Sequence, residues 1–316
     1  MSIVSDEVKA SLKVDKSELL FLYESTFSMP NGDPFTGEQR LDEETKRILV
    51  SDVRIKRFVR DFLFDMGHDI YVRNDRSSVK GEGDAESGAA ARYNTLEKDA
   101  PKGTSAQEIL TGLIDVRLFG GISTKKGNSI NLTGPVQFAL LNPSLNKVDL
   151  RMHQNTSVFA SSTDKGRGAI GTTTVVPYAL SQIHGWINPF VALQTGLSEE
   201  DILLLLKSIW HSINLANTRT KNNQNSLLLL QVIYSDPARK LYGLDRTIQL
   251  QCGTRDDTVL REEQLRSSDD YSLDFSPLIA KIEEAGDIVK EVRYYTESEK
   301  LAGQLQGKTK FITLDI

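Results

Sequence analysis

Cysteine is almost absent from this chain of 316 residues, and the patterns of metal sites and membrane segments are missing. The single cysteine, Cys252, cannot form an internal disulfide, and no Cys and His residues have the spacing of a zinc site. No apolar run approaches the length of about 18 residues that spans a membrane. Residues 1–16 are polar and mixed in charge, unlike a signal peptide. We therefore expect a soluble, cytoplasmic protein with no bound metal and no membrane association.

Catalytic signatures are missing as well. No strand is followed by the Gly-Lys-Ser or Gly-Lys-Thr loop of nucleotide-hydrolysing enzymes. The histidines, His68, His153, His184 and His211, lie in no recognised motif with a nucleophile. Asp33, in the segment Asn-Gly-Asp-Pro, is the most suggestive single acid, although an aspartate there is also typical of a turn. These absences argue against nucleotide hydrolysis, and because no cofactor motif is present we expect no cofactor.

Positive charge is in short supply over the chain as a whole. The formal net charge of −5 at pH 7 argues against a protein that coats nucleic acid indiscriminately, because such coating needs positive potential over much of the surface. Any site for a polyanion must therefore be local. The composition, 39% hydrophobic and 26% charged, is that of an ordinary globular protein with a core.

A local excess of cations occurs in residues 49–62, which predict an amphipathic helix. At about 100° per residue, the apolar residues share one side of this helix and the cations spread over the other. The apolar set is Ile55, Phe58, Val59, Phe62 and Leu63, and the cationic set is Arg54, Lys56, Arg57 and Arg60. Ser51 can cap the first turn, which leaves the positive end of the helix dipole beside the cations. A polyanion is the natural ligand of such a face, and a merely solvated basic face is the alternative.

The first third of the chain predicts a strand, a loop, a helix and a second strand. Residues 18–27 alternate in polarity and predict a strand that ends at the turn-forming residues 29–34. The basic helix follows at about residues 45–65, and a short strand is expected at 70–73. Residues 77–104 contain almost no large apolar residue, so we expect a mobile insertion there.

The rest of the chain completes a recognisable order of elements. Buried strands are predicted at 134–141 and 227–234, with a helix between them that Ser198 caps. The order β-α-β, β-α-β is the split pattern of a ferredoxin-like or RRM-like domain, which belongs to the α+β class. Residues 142–175 form a long polar arm, and such arms are usually functional or disordered. Residues 236–316, with a helix and further strands, are expected to pack against the core.

Single-stranded RNA is the polyanion that these features favour in combination. An RRM-like sheet offers an open face, the basic helix offers cations to a backbone, and Phe159 in the arm could stack on or wedge between bases. Residues 217–225 add cations and amides that could contact phosphates and sugars. Each feature has a structural alternative. Phe159 could anchor the arm to the core, and residues 217–225 could be a plain connection.

Several motifs in residues 18–235 add a resemblance to a known family. They are residues 21–23, 29–34, 48–57, 115–121, 132–138, 176–180 and 184–189. In order and spacing they resemble the Cas-seven family, the repeated backbone subunits of CRISPR Cascade complexes, and the type I-B branch most of all. The resemblance implies an α+β fold with a modified RRM or ferredoxin-like palm. It also implies a fingers insertion at 74–112, a thumb β-hairpin at 142–175 and a C-terminal extension at 236–316, all within a single domain.

The resemblance further implies a noncatalytic scaffold that polymerises along CRISPR RNA. The thumb of one copy would fold over the guide held by the next copy and displace a base at intervals, so that the segments between pair with target DNA. The implied partners are CRISPR RNA, target DNA, other copies of the chain, other Cascade subunits and a recruited helicase-nuclease that cuts the target. The setting is antiviral defence in a prokaryotic cytoplasm.

Specific residues receive roles from the same resemblance. Ser51, Lys56, Arg57 and Arg60 match the phosphate-contacting helix by position, and Val158 or Phe159 falls where the base wedge is expected. The full set of candidate RNA-binding residues is Asn31, Ser51, Arg54, Lys56, Arg57, Arg60, Asn155, Ser157, Val158, Phe159, Arg219, Lys221, Gln224 and Asn225. The alternative is a target-RNA endonuclease of the type III kind, which would use Asp33. A small-molecule enzyme of ferredoxin-like fold is a third hypothesis, which no cofactor motif supports.

Overall fold

The computed structural model describes residues 4–73, 89–123, 129–156 and 170–316. In these ranges the helices are α1 (Asp6–Ser11), α2 (Asp52–Asp65), α3 (Ala89–Asp99), α4 (Ala106–Thr111), α5 (Ile114–Phe119), α6 (Pro189–Thr195), α7 (Glu199–Leu215), α8 (Ser276–Glu284) and α9 (Glu299–Leu305). The strands are β1 (Ser17–Ser28), β2 (Leu41–Asp42), β3 (Arg47–Ser51), β4 (Gly120–Ser123), β5 (Ile130–Thr133), β6 (Val136–Phe138), β7 (Leu141–Pro143), β8 (Arg151–Thr156), β9 (Ile170–Ile187), β10 (Gln224–Tyr234), β11 (Gln249–Cys252), β12 (Thr254–Arg255), β13 (Thr258–Val259), β14 (Tyr271–Asp274), β15 (Val289–Tyr295) and β16 (Phe311–Thr313). The predicted α+β class is confirmed.

The largest sheet has the strand order β16-β15-β10-β1-β9-β6, and β8 pairs with the first half of β9. Strand β1 lies between β10 and β9 and runs antiparallel to both. Pairing is antiparallel throughout this path except between β15 and β16. Because β1 is central, both of its faces are buried, and it has the near-continuous apolar sequence that such a position requires.

Helices α2 and α7 cover one face of this sheet. Successive residues of a strand point to opposite faces, so Leu19, Phe21 and Tyr23 of β1 all join the core under these helices. The amphipathic helix predicted from the sequence is confirmed over Asp52–Asp65, where its whole apolar set is buried. Its expected start near residue 45 is wrong, because Arg47–Ser51 forms β3 and Ser51 caps the helix. Ser198 caps α7 by accepting a hydrogen bond from the amide of Asp201.

Residues 236–316 cover the other face of the sheet, so the prediction of an open RRM-like face is wrong. Leu20 and Leu22 of β1 lie in one buried cluster with Leu244, Phe275 and Leu278 from this C-terminal segment. The physical reason is the composition of that face. It is apolar, and apolar surface of this extent is stabilised by leaving water.

The strand predicted at 70–73 is also wrong. The amides of Tyr71 and Val72 donate to the carboxylate of Asp115, at 2.7 and 3.1 Å, instead of to a neighbouring strand. Asp115 is fully buried, and its two oxygens therefore take the place of a strand's carbonyl groups. The structure assigns no strand to these residues.

The described part of the insertion expected at 77–104 contains a helix. Residues 74–88 lie outside the described ranges, but Ala89–Asp99 forms α3. Tyr93 of α3 is fully buried and packs with Leu110, Leu113 and Val116 in a small satellite core. One large aromatic residue therefore anchors a segment whose composition argues for mobility.

Two shorter features complete the fold. The strand predicted at 134–141 is split into β6, which pairs with β9, and β7, which pairs with β3. Within the described ranges, no helix combines the length and the apolar character that crossing a membrane requires.

Candidate nucleic-acid interface

The beginning of α2 is fixed by two of the predicted site residues. The Ser51 hydroxyl accepts a hydrogen bond from the Arg54 amide at 3.4 Å, which makes Ser51 the cap of the helix. The Oδ1 atom of Asn31 accepts from both the amide and the hydroxyl of Ser51, at 2.7 and 2.8 Å. Asn31 is only 6% exposed. Asn31 and Ser51 therefore lie together, and their hydrogen bonds fix the position of the first turn of α2.

Two cations of α2 are engaged with other parts of the chain. Lys56 Nζ lies 3.2 Å from Asp52 Oδ2 and 2.9 Å from Gln137 Oε1. Arg60 Nε lies 3.0 Å from the buried Oδ2 of Asp115. Each of these cationic side chains is only 13% exposed. The side of α2 that carries Lys56 and Arg60 is therefore not a free basic face.

Arg57 has a weaker and more accessible partner. Its Nε lies 2.6 and 2.7 Å from the two carboxylate oxygens of Asp61, one turn further along α2. The Arg57 and Asp61 side chains are 35% and 49% exposed. An exposed pair at this spacing contributes only about 0.3–0.5 kcal/mol.

A cleft of about 330 Å³ lies between α2 and the C-terminal end of α7. Arg54 and Lys221 stand in its wall, with Phe58 and Phe62 from α2 and Thr218 from the following loop. The guanidinium carbon of Arg54 lies 3.9 Å from the centroid of the Phe58 ring, so this cation covers an aromatic face. We call this cavity the Arg54–Lys221 cleft.

The two cations of the Arg54–Lys221 cleft are partly desolvated, and the carboxylates of Asp61 and Asp65 line the same cleft. Lys221 Nζ donates to the Met29 carbonyl at 2.6 Å and to the Thr220 hydroxyl at 3.1 Å, both neutral partners. Burial, together with the charge of Arg54, lowers the pKa of Lys221 to about 8. Burial also lowers the pKa of Arg54, whose Nε is buried without a hydrogen-bond partner in the described residues.

No carboxylate in the described part of the chain forms an ion pair with Arg54 or Lys221. Two like charges that are held together away from water repel each other, and an anion between them relieves the repulsion. An anionic group that binds between Arg54 and Lys221 would therefore be stabilised by both cations. Both residues are among the predicted RNA-binding residues, but nothing in the local sequence pattern indicates that they lie close together in space.

The remaining predicted residues of the loop before β10 differ in accessibility. Arg219 is exposed, and Asn225 is exposed and donates to Glu24 Oε1 at 3.0 Å. Gln224 is 3% exposed in β10, opposite Ser25 of β1, so its side chain lies inside the protein and not on the surface. The backbone of Asn155 lies in β8 opposite Gly171. Ser157, Val158 and Phe159 lie outside the described residues.

Asp33 has the contacts of a turn-forming residue. Its carboxylate accepts from the amides of Phe35 at 2.8 Å and Thr36 at 3.4 Å, and it pairs with Arg40 at 2.9 Å. The hydrogen bond from Phe35 is the main cause that lowers the pKa of Asp33. Among the residues that the structure describes, no group of three or more His, Cys, Asp or Glu side chains could hold a metal ion. The local geometry does not favour an endonuclease.

One residue with an unusual backbone conformation, Phe27, is not among the residues predicted from the sequence. Phe27 lies within β1, yet its φ angle is +47° and its side chain is 56% exposed. Asn223, whose backbone carbonyl accepts a hydrogen bond from the Thr26 amide, also has a left-handed backbone conformation, with φ of +53°. An asparagine can indicate such a backbone, but a phenylalanine carries no such signal.

Comparisons with known proteins agree over most of the chain. The family model described as CRISPR-associated protein Cas7 matches residues 15–276. The CRISPR-associated protein Cas7 of Haloferax volcanii is 27% identical over 295 residues, which cover 87% of this chain and 84% of that protein.

Two solved structures share the fold at low sequence identity. One is a chain of a CRISPR RNA-guided surveillance complex, pre-nicking, with a TM-score of 0.56 and 14% identity, covering 95% of this chain and 96% of that one. The other is a chain of a CRISPR RNA-guided surveillance complex, with a TM-score of 0.52 and 14% identity, covering 90% of each chain.

Proposed function

The chain belongs to the family of CRISPR-associated protein Cas7, and from this membership we propose that it is a CRISPR RNA-binding backbone subunit of an RNA-guided surveillance complex. The observation that carries the proposal is the pair of partly buried cations in the Arg54–Lys221 cleft, neither of which forms an ion pair within the described residues. A chain with net charge −5 has little reason to hold two cations together unless an anion joins them. The phosphates of a guide RNA are that anion.

The proposed path of the guide follows the cations that line the cleft or are accessible to solvent. Arg54 and Lys221 line the cleft, Arg219 is exposed on the adjoining loop, and Arg57 is partly exposed. Lys56 and Arg60 contribute less directly, because both are committed to partners within the chain. We therefore propose a backbone path over the beginning of α2 and the loop at 217–225. Base pairing then reads sequence, and the protein holds the backbone.

We assign the complex to the type I Cascades, nearest to the type I-B branch. Copies of this chain polymerise along the guide and present it for pairing with target DNA in antiviral defence, in the prokaryotic cytoplasm. Other Cascade subunits join the assembly, and a recruited helicase-nuclease cuts the target. The motifs between residues 21 and 189 that resemble the Cas-seven family support this assignment.

Finer features of the fold support the same proposal. The order β10-β1-β9-β6, with α2 after β1 and α7 before β10, is the arrangement expected of an RRM-like palm. We take 74–112, with the satellite core around Tyr93, as the fingers. The paired strands β8 and β9 support a thumb hairpin within 142–175. Residues 236–316 are the extension that covers the palm.

A direct experiment is to express the chain with its neighbouring genes and a CRISPR array, and to sequence the RNA that copurifies. We expect a large ribonucleoprotein that carries guides from the array. A monomer free of nucleic acid would contradict the proposal.

The role of the Arg54–Lys221 cleft is tested in the same complex with the double variant Arg54→Gln, Lys221→Gln. Each phosphate contact contributes about 0.7 to the slope of log affinity against log salt on a single strand, and the two cations are proposed to hold one phosphate, so the slope should fall by about 0.7. Lys290→Gln is a matched control, because this exposed lysine pairs with Asp15 on a different part of the surface. Equal slopes for the double variant and the wild type would remove the cleft from the RNA path.

We also propose that the subunit is noncatalytic. Asp33 is occupied by two backbone amides and Arg40, and it has no acidic neighbour suited to a metal in the described residues. The purified complex with Mg²⁺ should leave complementary RNA intact. Cleavage that Asp33→Ala abolishes would instead establish the type III alternative.

A further inference from the structure

Phe27 combines a costly backbone conformation with an exposed aromatic ring. Its φ of +47° lies in the left-handed region, which a bulky residue rarely adopts. The ring is 56% exposed, although the residues on either side of it along β1 are better buried. Burial of the ring therefore does not offset the strain. Such residues persist where the surrounding structure forces them, and they are concentrated at ligand-binding sites.

The strand pairing around Phe27 explains how the conformation is held. On one side, Thr26 pairs with Tyr178 and Ser28 pairs with Val176, so Phe27 stands opposite Pro177. Proline has no N–H group and cannot complete the ladder at this point. The chain is thus held before and after Phe27, while the residue itself is released from regular pairing.

The other side of β1 holds the chain in the same way. The Thr26 amide donates to the Asn223 carbonyl at 3.0 Å, and the Asn223 side-chain amide donates to the Thr26 carbonyl at 2.9 Å. Two residues after Phe27, the Met29 amide donates to the Thr220 carbonyl at 2.9 Å. These contacts fix the backbone on both sides of Phe27 against the loop at 217–225.

Phe27 is also directly connected to the Arg54–Lys221 cleft. The Met29 carbonyl is the group that holds Lys221 Nζ, at 2.6 Å. An exposed aromatic residue therefore lies two positions along the chain from the carbonyl that holds one cation of the cleft. A nucleotide has both complementary parts, a phosphate and an aromatic base. We propose that Phe27 is a stacking platform for a base of the bound single strand, next to the phosphate held by Arg54 and Lys221; this rests on the proposed RNA-binding function.

The platform accepts any base, because every base has an aromatic face to stack. It fixes the position of one base, whereas the cations fix the position of the backbone. Replacement of the ring should therefore weaken binding without changing the number of phosphate contacts, and the salt slope should stay the same.

The experiment measures both RNA affinity and stability, for the full chain with a labelled single-stranded RNA of mixed sequence. Phe27→Leu removes the ring, Phe27→Tyr keeps it, and Phe27→Gly removes both the ring and the strain. We expect Phe27→Leu and Phe27→Gly to weaken binding by about 5- to 100-fold, with an unchanged salt slope. Phe27→Tyr should bind within about twofold of the wild type. Phe27→Gly should resist urea better than Phe27→Leu, because glycine adopts the left-handed conformation without cost.

Controls separate this proposal from its premise. Tyr242→Leu removes an aromatic ring that is 87% exposed in the C-terminal segment, and it should leave affinity unchanged. If the wild type binds RNA and Phe27→Leu binds equally well, the platform is refuted and the RNA-binding function stands. If the wild type binds no RNA in its assembled complex, the proposed function itself fails. If Phe27→Leu impairs only the association of copies, the ring contacts protein and the platform is again refuted.

Discussion

The affinity of this chain for RNA should decrease as the pH rises from 7 to 9, because Lys221 loses its proton in that window. In the free protein, burial and Arg54 lower the pKa of Lys221 to about 8. A phosphate beside the ammonium group stabilises the charged form and raises this pKa again. Binding therefore takes up a proton whenever the free protein has lost it. The affinity for RNA therefore has its full value well below pH 8 and falls as the pH rises through 8.

The expected size of the effect follows from one titrating group. With a pKa of about 8 in the free protein and a higher pKa in the complex, the dissociation constant should rise by up to about tenfold between pH 7 and pH 9. Other groups near Lys221 do not titrate in this window. Burial raises the pKa of Tyr23 to about 12, and the guanidinium of Arg54 stays charged.

Fluorescence anisotropy with a labelled single-stranded RNA, at constant ionic strength, measures this dependence. Lys221→Arg is the matched control, because arginine keeps its charge to pH 9, and its affinity should be nearly constant. Titration of the RNA bases affects both proteins equally and cancels in the comparison. If Lys221→Arg shows the same loss of affinity as the wild type, Lys221 is not the titrating group and the electrostatic account of the cleft is wrong.

The stability of the free protein should show the opposite trend. The pKa of Lys221 is lower in the folded state than its ordinary unfolded value of about 10.4, so between pH 8 and pH 10 the unfolded chain binds more protons. This group therefore makes the folded protein more stable as the pH rises. Urea midpoints of the wild type, relative to those of Lys221→Arg, should increase over that range.

Four further substitutions test the architecture around the interface by urea denaturation. Asp115→Ala should destabilise the protein by about 3–5 kcal/mol, because it leaves Arg60 and two backbone amides without their buried partner, whereas Asp61→Ala should cost less than about 1 kcal/mol. Gly120→Ala should cost about 3 kcal/mol or more, since its φ is +79° and a Cβ atom would stand 2.1 Å from a carbonyl oxygen of β5. Ser51→Ala should cost about 1 kcal/mol through loss of the α2 cap. A change below about 0.5 kcal/mol for any of these except Asp61→Ala would contradict the corresponding contact.

Local patterns were sufficient for the elements whose burial follows from sequence spacing. The apolar side of α2 repeats with the period of a helix, and Ser51 and Ser198 are residue types that cap helices. Strand β1 has the alternating sequence, rich in aromatic and aliphatic residues, that predicts a strand. The predicted strand at 70–73 failed because its hydrogen-bond acceptor is a carboxylate more than forty positions away in the chain.

The candidate interface was predictable in its components and not in its arrangement. The sequence by itself determined that α2 is amphipathic, that the chain is acidic overall and that its motifs resemble the Cas-seven family. Only the tertiary structure decided which cations are free: Arg60 is held by a buried carboxylate, whereas Arg54 meets Lys221 across a cleft. It also decided that residues 236–316 cover the sheet and that Phe27 is held outward. The physical reason is that charge compensation, desolvation and strain depend on neighbours in space, and these neighbours are separated by long stretches of chain.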